Sequence, residues 1–181
     1  MLNHGISTGS LFLLVGIIYE RRHTRMIADF GGLSKVMPVY AAIFMIVTLS
    51  SIGLPGTNGF VGEFLILLGA FKAKIAYGVL GATGVVLGAA YMLWMFQRVM
   101  FGEIKNPKNL ELKDLNVREI AYMVPMIAMI FLMGIYPKLF FQKMDVTVEH
   151  LLSDVKSKYE AAVDRPTAQA LLAREIKLDE P

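Results

Sequence analysis

The chain has 181 residues, 55% of them apolar and 18% charged, with a net charge of +3. Soluble domains carry about a quarter charged residues, so this composition points to a membrane protein. With no cysteine, disulfides, thiolate-held iron–sulfur clusters and Cys-type zinc sites are excluded. The basic excess is spread over loops and tail, which argues against nucleic acid. No glycine-rich dinucleotide fingerprint and no Walker-type loop is present.

Met1 is followed almost at once by apolar sequence without the charged n-region of a signal peptide. The chain is thus expected to begin at the start of a span. The first span is predicted over about 2–19. His4, Ser7 and Thr8 recur at i, i+3, i+4 in its small, polar first turns and share a face. A loop with Arg21, Arg22, Arg25, Asp29 and Lys35 follows.

A long apolar run then extends from about 36 to 71. Its roughly 36 residues would rise about 54 Å as one helix, whereas a bilayer core is about 30 Å thick. The run supplies its own interruption at 53–58, within GLPGTNGFVGEF. Pro55 removes a backbone donor and clashes with the turn before it. Gly53 and Gly56 loosen the chain, and Thr57 or Asn58 can cap a restarted helix. A broken helix at membrane depth is tolerated only where protein or water satisfies its free backbone groups. Ion transporters build their sites at such breaks.

A third span is predicted over 75–100, with glycines at 78, 81, 84 and 88 that suit close helix packing. A fourth is predicted over about 120–136. The transmembrane region thus covers 1–140, with four spans, the second broken. A polar tail, 141–181, carries Val148, Leu151, Leu152, Val155 and Tyr159 at helical spacing, then a short helix from Thr167 to about Ile176. Lysine and arginine cluster after the first and third spans, which places those loops in the cytoplasm.

Nearly all charged residues fall in loops or tail on this map. Glu63 is the exception: an intramembrane carboxylate just inside the restarted helix, and a functional candidate by default. It can take up and give up a proton, as a relay requires. A structural cap or ion pair is the competing reading. His4 is the second candidate, an imidazole among small residues that leave room for water. A histidine satisfied by a neighbouring helix fits equally well. No metal site and no catalytic group is expected.

Four runs, HGISTGSLFLLVGIIYERRHTR, GLPGTNGFVGEFLILLGAF, AAYMLWMFQRVMFGE and REIAYMVPMIAMIFLMGIYPKLF, resemble, in order, the C-terminal part of the chain M family of bacterial NADH–quinone oxidoreductase, respiratory complex I. The resemblance implies an all-α, antiporter-like fold of about 14 helices in two inverted repeats, each with one broken helix. The spans here are similar to the eleventh to fourteenth. Glu63 then matches the exit-side glutamate of the proton path, where the sister chains L and N carry lysine. His4 matches a histidine linking the central axis to that exit, and Gly53, Pro55 and Gly56 match the break lining the path. The upstream half, with its own glutamate and central lysines, is expected in a missing N-terminal part of the same fold.

The function implied is proton translocation coupled to electron transfer from NADH to quinone. FMN, iron–sulfur clusters and quinone would belong to other subunits, with no cofactor in this chain. Sister antiporter-like chains and the lipid of the bacterial inner membrane would be its partners. A non-pumping membrane fragment, or a subunit of a cation/proton antiporter or membrane-bound hydrogenase, is the alternative.

Overall fold

Every element of the computed structural model, which describes residues 1–178, is a helix or a connection between helices. Helix α1 is Leu2–Arg22. It outruns the expected end at residue 19 because the left-handed His23 closes it, donating its N–H to the Tyr19 carbonyl at 2.8 Å. After a 3-10 turn, Ile27–Asp29, and the single turn α2, Leu33–Val36, the broken segment begins.

Its first half, α3, is Pro38–Ser51. Pro38 occupies the first turn, where a missing N–H costs nothing. Two free amides of that turn, Val39 and Tyr40, donate to the Asp114 carboxylate at 2.8 and 3.0 Å. The second half, α4, is Asn58–Ala73, and α5 is Ile75–Met100. Helix α6, Val117–Ile135, starts earlier than residue 120 because Asn116 and Glu119 form a capping box.

Helices α1, α5 and α6 are each long and apolar enough to cross a membrane. At 14 and 16 residues, α3 and α4 rise only about 21 and 24 Å, short of a bilayer core. Leu14, Leu33, Met37, Tyr40, Val47, Met100, Met123 and Ile130 are fully buried in one core cluster drawn from α1, α2, α3, α5 and α6. The Tyr40 hydroxyl donates to the Leu14 carbonyl at 3.0 Å and ties α3 to α1. Much of α5 stays exposed, including Leu80, Val86, Leu87 and Trp94. Lipid is as apolar as these side chains, so leaving them outside costs nothing.

The chain from Lys138 forms a separate unit. It holds α7, Lys138–Phe141, and α8, Asp145–Leu178. The expected separate helix from Thr167 does not occur, because α8 runs on through Pro166. One proline costs one helical bond, and the flanking alanine- and leucine-rich sequence favours helix strongly enough to bridge it. Within α8, Val148, Leu151, Leu152, Val155 and Tyr159 are exposed. Residues 179–181 of the tail lie outside the described residues.

Candidate functional site

The site is built around the six-residue gap between α3 and α4, where the chain leaves helical geometry at Ile52 and regains it at Asn58. Gly53 and Gly56 take φ of 77° and 89°, left-handed values that other residues adopt at a cost. The Leu54 N–H reaches back to the Leu49 carbonyl at 3.0 Å, which closes the end of α3 with a wide turn. Thr57 stands at the N-cap position but does not cap. Its hydroxyl donates instead to the Leu54 carbonyl at 2.6 Å and tightens the turn. Helix α6 braces the outside of the gap: at Gly134 a side chain would collide with the Gly56 carbonyl.

Glu63 lies about one and a half turns into α4 and is half-buried. Its carboxylate rests against Gly53, where an added Cβ would overlap it. The break and the carboxylate are thus in direct contact although ten positions separate them. Glu63 also faces a cavity of about 340 Å³. The polar lining of that cavity comes from Asn3, His4, Ser7 and Thr8 on α1, Ser50 and Ser51 on α3, and Tyr91 on α5. His4 is therefore brought to the same space as Glu63. It is exposed, and its Nδ1 lies 3.2 Å from the Thr8 hydroxyl. Pro55 and Gly56 shape the break from its exposed side and are not among the cavity-lining residues. A second cavity, about 370 Å³, shares Glu63, Ser51 and Tyr91 with the first and extends along Gly81, Gly84 and Gly88 of α5. Spaces of this size with several polar partners can hold water.

Several known proteins are similar to this chain. Residues 1–88, which hold the break, Glu63 and His4, match the family described as NADH:quinone oxidoreductase/Mrp antiporter, transmembrane. The chain is similar to NADH-quinone oxidoreductase subunit M of Rhodobacter capsulatus, 47% identical over 154 residues, covering 85% of this chain and 30% of that protein. It also superposes on a chain of respiratory complex I from Thermus thermophilus with bound NADH. That match has a TM-score of 0.70 and 40% identity over 76% of this chain and 29% of the other. A chain of the archaeal membrane-bound sulfane sulfur reductase is similar at TM-score 0.64 and 28% identity, over 75% of this chain and 22% of the other. The chain spans about a third of the length of the relatives it matches.

Two features of this chain escape a reading of the sequence. The first is a buried carboxylate beside the loops, Glu119. Glu119 is 2% exposed and accepts both Arg21 terminal nitrogens at 2.7 Å. The same guanidinium donates to the Lys113 carbonyl at 3.0 Å, and Arg22 donates to Asn109 at 2.7 Å. These arginines, read from the sequence only as a signal of orientation, hold the chain's loops to α1. An acidic residue three positions after Asn116, ahead of an apolar run, is the signal that could have placed Glu119 at a helix start.

The second is Asn58, expected as a cap and found at the first position of α4 with its side chain fully buried. It accepts from Ser50 at 2.5 Å and Ser7 at 3.3 Å, and donates to the Asn3 carbonyl at 2.9 Å. The glycines of α5 also divide. A side chain at Gly78 or Gly81 would strike Phe71 or Leu67 of α4, whereas one at Gly84 or Gly88 would meet nothing. Close approach within the chain explains only the first pair.

Proposed function

We propose that this chain is part of the proton-translocating, antiporter-like membrane subunit of an NADH–quinone oxidoreductase of the subunit M type. In this reading it crosses a bacterial plasma membrane four times, with α3 and α4 forming one interrupted crossing. Glu63 exchanges protons with the outer side. His4 connects it, through water in the shared cavity, to the rest of the path. Electron transfer from NADH to quinone, with its flavin and iron–sulfur cofactors, takes place in other subunits. Sister antiporter-like chains and the remaining length of the same fold complete the channel.

The observation that carries this reading is a carboxylate in contact with a helix break and facing a polar cavity shared with a histidine. A group so placed can take a proton from water on one side and release it elsewhere when the hydration or field around the break changes. The test is Glu63→Gln in the complete chain, assembled in its complex, with protons moved per NADH oxidised as the readout. Loss of most pumping from fully assembled complex is the expected result. Unaltered pumping would remove Glu63 from the path.

A further inference from the structure

We infer that Asn58 is a positioning residue that seats the Glu63-bearing helix on the His4-bearing helix. This inference rests on the proton-path reading above. Asn58 and Gly62 are four apart on α4 and share its face. Both bear on one residue of α1, Asn3. The Asn58 amide donates to the Asn3 carbonyl at 2.9 Å. At Gly62 the backbone comes so near that an added Cβ would lie 3.1 Å from Asn3 Nδ2. Asn3 is therefore clasped between two consecutive turns of α4. The residue after Asn3 is His4, and the residue after Gly62 is Glu63. Seating Asn3 sets these two neighbours on the wall of one cavity.

The rest of the carboxamide ties the same point to α3. Ser50 and Ser7 both direct hydroxyls at its oxygen, and they lie 2.9 Å from each other. The two hydroxyls supply two protons for three contacts. Ser50 donates to Asn58 over the shortest one, and the Ser7 proton is shared between Ser50 and Asn58. Asn58 is fully buried, so removing its side-chain groups leaves these hydroxyls and the Asn3 carbonyl without their partner. A chain that needs its backbone interrupted at Gly53 has few backbone bonds across the gap. This side-chain knot replaces them at the point where α4 restarts.

The experiment uses the complete chain in its complex, with two readouts per assembled complex. One is protons moved per NADH oxidised. The other is the infrared carboxyl stretch assigned to Glu63 by its disappearance in Glu63→Gln. Asn58→Leu keeps the branched shape and removes the knot. Pumping is expected to fall about tenfold, since misplacement near 1 Å costs up to about a hundredfold in a positioned reaction. The carboxyl stretch is expected to shift with it.

Should Asn58→Leu not assemble, Gly62→Ala presses on Asn3 from the other turn and is expected to shift the band in the same direction. An assembled Asn58→Leu or Gly62→Ala complex with an unmoved band and unchanged pumping would overturn the inference. Normal pumping by Glu63→Gln would overturn the proton-path reading instead, while the band would still report whether Asn58 positions Glu63.

Discussion

Glu63 and Glu119 sit in opposite surroundings. Glu119 has both oxygens filled by one guanidinium, and Glu119 Oε2 also accepts the Asn116 N–H at 2.8 Å. Around it, Arg22, Asn109 and Asp114 are each paired across long stretches of chain. Glu63 has a cavity on either side and a glycine under its carboxylate. A charge with all its partners in place is held and has no reason to exchange its proton. A carboxylate facing polar space is free to do so. The same side chain is thus fully partnered beside the loops and faces polar space at the break.

The comparison breaks if the pairing of Glu119 with Arg21 is dispensable. Arg21→Ala leaves Glu119 buried and unpaired, which costs about 3–5 kcal/mol. The amount of assembled complex on a native gel should collapse. Replacing both partners together with apolar residues should restore much of it, because no charge is then stranded.

Next in size is Gly53→Ala. It strains a left-handed position by about 1–2 kcal/mol and pushes the Glu63 carboxylate aside. Pumping per assembled complex should fall. Gly56→Ala has similar strain but open space around it, so it should lower stability with less effect on pumping. Equal pumping in the two variants would mean the contact between Gly53 and Glu63 is idle.

A smaller effect is expected for Asn116→Ala. It removes a cap worth about 0.5–2 kcal/mol and one neighbour of Glu119. Thermal inactivation of the complex should shift down by a few degrees. The smallest effect is expected from Gly84→Ala, which meets no neighbour within the chain. It should stay within about 0.5 kcal/mol, against a marked loss for Gly78→Ala, whose Cβ would enter the Phe71 ring.

The break was legible because proline and glycine announce it locally, and α5 because its sequence carries no charge from Ile75 to Gln97. Glu63 was legible as the one carboxylate deep in an apolar segment. The ion pair beside the loops was not. Arg21 and Glu119 stand 98 positions apart, and each sits beside loop residues where charge is unremarkable. Asn58 was misjudged for a related reason. Local rules offered it a capping role, while the fold spent its side chain on Asn3, Ser7 and Ser50. The length of α8 was missed because Pro166 was weighed more heavily than the helix-forming sequence on either side.

The most direct test of the contrast between the two carboxylates sets Glu63→Gln beside Glu119→Gln in the same complex. Assembly and protons moved per NADH oxidised are measured for both. Glu63→Gln should assemble fully and fail to pump. Glu119→Gln should fail to assemble, with the remaining complex pumping normally. A Glu63→Gln complex that pumps at the full ratio, or a Glu119→Gln complex that assembles fully yet cannot pump, would contradict the account.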